Sequence, residues 1–270
     1  MRKKLLFILL SFIVSCLYSQ EKIVDTTIYR AYYKLIYQQD STNVDSMEEE
    51  KMTLLIGKSY SLFQSENNRF NDSLLSSLSK IDIENAQQAV DIALSLKKNT
   101  RFKFKIVKTL NHLIVFDKIT TDKFIYEEKN KLKWQITNDT KLINNYLCQK
   151  ATTTFGGRNY VSWFTNEIPI SDGPYKFKGL PGLIIKIYDQ EKHYDFELFS
   201  FKKYVSILEV NFKKAQKTSK QDYFRAYKNF KTNIVAQLEQ RGIYLDDDEA
   251  TKVKQRVKKT MNNEIELKFD

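Results

Sequence analysis

Proline and glycine are scarce, with 3 Pro and 7 Gly in 270 residues. That excludes a collagen-like chain or a low-complexity one. Two Cys and two His exclude a disulfide-dense scaffold and leave little for a zinc site. No run beyond the N-terminus approaches the roughly 20 apolar residues that a membrane helix needs. There is no Pro- or Gly-rich linker and no internal repeat. What is present is 42% hydrophobic and 13% aromatic residues, too many for a wholly disordered chain. Lys and Arg number 44 against 33 Asp and Glu, a formal charge of +11.

The first residues read as an export signal. Arg2, Lys3 and Lys4 precede an apolar run from Leu5 to Val14, broken by Ser11. A basic start, a short apolar run and a small residue near its end describe a secretory leader over residues 1–19. Two processing routes fit. One cuts between Ser19 and Gln20. The other treats Ile13-Val14-Ser15-Cys16 as a lipobox and lipidates Cys16. The apolar run continues through Cys16 to Tyr18, which favours the first. Removing the leader lowers the formal charge from +11 to +8, since Arg2, Lys3 and Lys4 leave with no acid. Export to the periplasm, the outer membrane or the medium disfavours nucleic acid as partner of that charge. Anionic envelope surfaces and glycolipids fit it better, and a solvated basic surface explains it most simply. Cys148 is then a single thiol in an oxidising compartment, read as a buried small hydrophobe.

Residues 20–270 read as one domain. In Ile28 to Tyr37, Tyr33, Leu35 and Tyr37 share one strand face; Tyr32, Lys34 and Ile36 share the other. Lys51 to Ile56 and Ser59 to Gln64 form a hairpin candidate across Gly57-Lys58. Residues 67–97 switch to helical spacing, with Leu74, Leu78 and Ile81 on one stripe and Asp82 as an N-cap. Strands resume at Ile106-Val107, Leu113 to Phe116, Phe124 to Tyr126 and Leu132 to Ile136. Tyr146 to Ala151 and Arg158 to Phe164 flank Gly156-Gly157, which supplies the positive φ of a tight hairpin. Ile184 to Tyr188, Tyr194 to Ser200 and Val205 to Phe212 predict three further strands.

Residues 219–261 read as two helices. Ser219 to Asp222 has the form of a capping box before the stripe Tyr223, Tyr227, Phe230, Ile234, Leu238, with Gly242 as the stop. Asp246 to Glu249 opens the second, whose stripe is Ala250, Val253, Val257 and Met261. The fold class expected is α+β: a large curved antiparallel sheet, a helical insertion and two C-terminal helices.

Gly179-Leu180-Pro181-Gly182-Leu183-Ile184 is the most distinctive run. Pro then Gly in the middle of Leu180 to Leu183 predicts a type II turn, with positive φ at Gly182. Phe177 and Leu180 can plug the strand that follows. The run is no phosphate loop, because it lacks Gly-Lys-Ser/Thr and leads into a strand.

These residues resemble the GLPGLI family of Bacteroidota-type envelopes. The similarity takes in Tyr33-Lys34-Leu35, Leu55-Ile56-Gly57, Trp134, Thr140-Lys141, Tyr146, Cys148 and Lys150-Ala151. It continues through Arg158, Tyr160, Trp163-Phe164, Glu167-Ile168-Pro169 and Gly173 to Phe177. It ends in Asn262 to Leu267, where the family often has Pro in place of Glu264. The resemblance implies a secreted or envelope-associated protein. It transfers no catalytic or ligand residues, because none are agreed for that family.

Cys148, Arg158 and Trp163 form the candidate binding set on the predicted hairpin. An Arg beside a thiol could activate it, but His112 and His193 are remote in sequence. Arg158 is expected to pair with Glu167 or Asp172, or to bind an anion. Trp163 reads as core before sugar platform. No metal or cofactor is expected. The reading is a non-enzymatic binding or accessory protein for an envelope protein, or for a glycan or lipid ligand. The alternatives are a hydrolase pairing Glu167 with Asp172, and a lipid-handling or structural envelope component.

Overall fold

The computed structural model describes residues 22–78, 86–129 and 132–269. The leader, Cys16, Ser19, Gln20, Ile81 and Asp82 lie outside the described residues. The described residues form a mostly antiparallel twelve-stranded sheet, ordered β12-β6-β5-β4-β3-β2-β1-β11-β10-β9-β8-β7. Its centre is a pair of long strands, β1 (Lys22–Gln38) and β11 (Tyr194–Asn211). On one side follow β2 (Met47–Gly57), β3 (Ser61–Ser65), β4 (Lys105–Lys108), β5 (His112–Ile119) and β6 (Asp122–Lys129). The short β12 (Gln216–Lys217) adds to β6 in parallel. On the other side lie β10 (Leu183–Asp189), β9 (Arg158–Thr165), β8 (Tyr146–Phe155) and β7 (Gln135–Ile143). The fold is α+β, as expected.

Alternation along β1 decides which face is covered. Ala31, Tyr33 and Leu35 have no exposure, while Tyr32, Lys34 and Ile36 stay half-buried. The inner face carries the main core, where Tyr33, Phe63, Phe164, Phe177, Leu180, Ile184 and Phe196 pack together. Burying each such side chain contributes about 1.5–3 kcal/mol. The Tyr33 hydroxyl also donates to the Ile184 carbonyl at 2.7 Å, joining β1 to the Gly179–Ile184 run. A smaller core of Ile23, Leu55, Leu62, Val107, Phe116, Leu208 and Val210 forms around the far end of the β1–β11 ribbon.

Two helices, α1 (Glu66–Leu78) and α2 (Ala86–Leu96), occupy the expected insertion. At the C-terminus, α3 (Lys220–Thr232) and α4 (Ile234–Glu239) are separated at Asn233, where one continuous stripe predicted a single helix. Ser219 caps α3 by accepting from the Asp222 amide at 3.0 Å. The reciprocal capping box belongs to α5 (Asp247–Thr260), between Asp246 and Glu249. Two strand boundaries also differ. The two strands expected between Tyr194 and Phe212 are the single β11. Leu132 to Ile136 is mostly the approach to β7, and Trp134 there donates to the Lys178 carbonyl at 2.9 Å.

The Gly156-Gly157 hairpin forms as expected, with φ of 56° and 80°. The type II turn does not. The positive φ in the run is at Gly179 (99°), and Gly182 lies outside that region. Gly182 is needed for a different reason. A Cβ there would stand 1.9 Å from the Thr165 carbonyl oxygen, where β9 and β10 approach each other.

Candidate functional site

Between the inner sheet face and α3 lies a cavity of about 340 Å³. The Tyr223, Tyr227 and Phe230 stripe faces it from the helix, with Phe224 beside it. Opposite stand Phe102 and Phe104 before β4, Val115, Asp117 and Ile119 on β5, and Tyr126 on β6. Tyr175, Tyr194 and the C-terminal segment from Met261 to Glu266 complete the wall. The rings touch one another: Phe104 and Tyr175 at 5.4 Å, Tyr126 and Tyr223 at 5.4 Å, Tyr223 and Phe224 at 5.2 Å.

Three of the tyrosines are pinned by their hydroxyls. Tyr175 donates to Glu266 at 2.6 Å, Tyr223 donates to Asp117 at 2.7 Å, and Tyr194 donates to the Asn263 carbonyl. Rings held at both ends cannot collapse to close the space, so the cavity is preorganised. Tyr175 itself has a φ of 50°, a conformation that non-glycine residues rarely adopt. The turn from Pro174 to Phe177 that imposes it aims both Tyr175 and Lys176 at Glu266.

Glu266 is the anchor of the tail. Its carboxylate accepts from Lys176 at 2.6 Å and is ion-paired with Lys220 at 2.9 Å. Glu128 bridges the same two lysines from β6, so four alternating charges close a ring. Burial pushes the Glu266 pKa up, but Lys176 and Lys220 outweigh it and hold the carboxyl below its usual range. Burial likewise opposes the Lys176 charge, and Glu266 with Glu128 overcomes it and raises that pKa. The ring also borders a second pocket of about 770 Å³, lined further by Lys129, Lys268, Ser219 and Gly156.

Asp117 is a polar group set among the aromatic residues of the wall. Its carboxyl accepts from Tyr223 and from the Lys118 amide at 2.7 Å. It keeps some accessible surface because it borders the cavity, although protein surrounds it. Burial pushes its pKa up, and those two hydrogen bonds offset the rise only in part.

The residues singled out by sequence sit elsewhere. Cys148, Arg158 and Trp163 are buried, and none lines either cavity. Cys148 is near the start of β8 and Arg158 is at the hairpin end of β9, so they form no thiol–guanidinium pair. Burial first, and then nearby Glu167, push the Cys148 thiol up to about 11. Arg158 does not pair with Glu167 or Asp172. It bonds Asp189 at 2.9 Å, the Asn263 side chain at 2.6 Å and the Glu264 carbonyl at 2.7 Å, clamping the tail. Exposed Glu167 accepts from the Leu147 amide, whereas buried Asp172 is ion-paired with Lys108 at 2.6 Å. The two carboxylates proposed for hydrolysis are therefore committed to separate structural partners. Among the described residues, no group of three or more His, Cys, Asp or Glu could hold a metal ion. Among them too, no helix is long and apolar enough to cross a membrane.

Fold and cavity together define a sheet protein with a half-open aromatic pocket walled in part by its own C-terminal tail. The family described as "Protein of unknown function (Porph_ging)" matches residues 157–186, which hold β9 and the Gly179–Ile184 run. No curated protein matches the chain. Two crystal structures of PNGF-II resemble it. The P21 form is 14% identical with a TM-score of 0.49, covering 74% of this chain and 32% of that one. The C2 form is 15% identical with a TM-score of 0.46, covering 72% and 31%. The chain thus spans about a third of the length of PNGF-II, and this likeness carries no inference about function.

Proposed function

We propose that the chain is an exported envelope protein of the GLPGLI type that binds a compact ligand in the aromatic cavity. The observation that carries this is the cavity itself. Its volume falls within the roughly 300–1,000 Å³ of small-molecule sites, and its walls are mainly aromatic and apolar, with Asp117 among the few charged groups that border it. The tail that walls it in part is the segment quoted in the family resemblance. That favours a ligand-binding or accessory role over hydrolysis by Glu167 and Asp172, whose carboxylates go to separate partners. A leader cleaved between Ser19 and Gln20 would place the protein in the periplasm or at the outer membrane; lipidation at Cys16 is the second route.

Native mass spectrometry of the protein recovered from cell envelopes tests the reading. Wild type should retain a small molecule that Met261→Trp loses, because the indole would fill the cavity from its tail side. Identical masses for the two proteins, less the substitution itself, would contradict it.

A further inference from the structure

We propose that the cavity selects a ligand bearing an ammonium group on a flat apolar body. Asp117 would be the counter-ion, and the Tyr126, Tyr223 and Tyr227 rings would form the cage. The inference rests on the cavity being the binding site.

Asp117 differs from three buried acids of the protein, and shares the lack of an ion pair with buried Glu50, which accepts from Thr100 and the Arg101 amide instead. Asp172, Asp189 and Glu266 each have a cation within 3 Å: Lys108 at 2.6 Å, Arg158 at 2.9 Å and Lys176 at 2.6 Å. Among the described residues Asp117 has two hydrogen-bond donors and no ion pair. A carboxylate enclosed without a cation is costly, and a ligand that supplies one removes that cost. Aromatic faces around it attract a cation further. At Asp117 itself an anionic group would meet like charge instead.

Three cations, Arg101, Lys103 and Lys118, also line the cavity, and none of them is ion-paired with Asp117. Lys118, on the same strand, is turned to Asp72 at 3.9 Å. Lys176, from the turn, is held by Glu128 and Glu266. Arg101 donates to the Thr260 carbonyl at 2.6 Å and the Asn263 carbonyl at 3.3 Å. Glu264, from the tail, is ion-paired with Lys231. Lys103 is exposed at the rim, and its charge with that of Lys176 lowers the Asp117 pKa without cancelling the effect of burial. Asp117 is therefore the lining charge free to meet a cation.

Calorimetric titration of the full chain with tryptamine, tryptophol and indole-3-propionate tests this. The three share a ring and differ in the charge of the tail. Tryptamine should bind about tenfold or more tighter than tryptophol, and indole-3-propionate weakest. Asp117→Asn should erase the preference for tryptamine while leaving tryptophol within about twofold, a factor worth under 0.5 kcal/mol. Wild-type affinity for tryptamine should fall as Asp117 takes up its proton in acid. A thermal melt of the variant checks that it folds, and the wild-type comparison needs no variant. Equal affinity for tryptamine and tryptophol would overturn the ammonium inference and leave the cavity reading standing. Binding of none of the three would overturn both.

Discussion

Replacing Gly182 with Ala tests why the signature run needs its second glycine. The new Cβ would stand 1.9 Å from the Thr165 carbonyl oxygen and 2.6 Å from its carbon. Both are backbone atoms, so no rotamer change relieves the contact. Carbon–oxygen contacts lie near 3.3–3.6 Å, so the β9–β10 start must open by about 1.4 Å. That strains the Leu183-to-Ile168 and Ile184-to-Asp172 backbone bonds, both 3.0 Å. It also disturbs Leu183 and Ile184, which are wholly buried. One or two hydrogen bonds at about 1 kcal/mol each, plus about 1–3 kcal/mol for overpacking, give roughly 3–4 kcal/mol. In a domain of this size that lowers Tm by about 6–16 °C. Urea unfolding and thermal circular dichroism read both quantities. Gly182→Asn separates the causes. A need for positive φ makes Asn milder than Ala, whereas close approach makes it worse. A Gly182→Ala protein as stable as wild type, or an Asn variant more stable than the Ala variant, would refute the reasoning.

Three further outcomes follow from the buried charges. Glu266→Ala leaves Lys176 and Lys220 sharing Glu128 and strands the Tyr175 hydroxyl; urea unfolding should show a loss of about 3–5 kcal/mol. Because the Glu266 pKa is lowered on folding, its contribution is complete above the unfolded value near 4.5 and fades as pH falls through the folded one. Glu266→Gln should therefore flatten that acid limb of the stability curve. Asp117 has the opposite sign: its pKa is raised, so its contribution is present below the unfolded value of 3.8 and lost as pH rises through the folded one. Without ligand, Asp117→Asn should be more stable than wild type at neutral pH and level with it in strong acid, as measured by paired melts. Cys148, buried and shifted to about 11, should resist a disulfide reagent at pH 8 in the native protein and react fully once unfolded.

Elements with one buried face were legible in the sequence. The alternation of Tyr33, Leu35 and Tyr37 marked one face of β1, and Gly156-Gly157 marked the β8–β9 hairpin. The edge strand β7 was not, because Thr137, Asn138 and Asp139 have no buried side to alternate against. Nor was the single β11 visible, since Lys202 and Lys203 interrupt its pattern while the backbone runs on. The break at Asn233 was hidden because the apolar stripe passes through it without a change of period. Of the cavity, only the Tyr223–Tyr227–Phe230 stripe was readable locally. Asp117, Tyr175 and Glu266 come from distant segments, and the bonds that join them to Tyr223, Lys176, Lys220 and one another span up to 106 residues of chain. Lys176 and Glu266 look like surface residues until the fold closes the ring. The one sequence signal was indirect: both lie in stretches quoted in the family resemblance.

Methyl NMR of the methionines tests the binding claim most directly. Met261 lines the cavity, whereas Met47 is exposed and Met52 sits in the main core. Titration of methyl-labelled protein with tryptamine should move the Met261 signal to saturation and leave Met47 and Met52 in place. A Met261 signal that stays fixed, or three signals that drift together without saturating, would contradict the assignment of the cavity as the binding site.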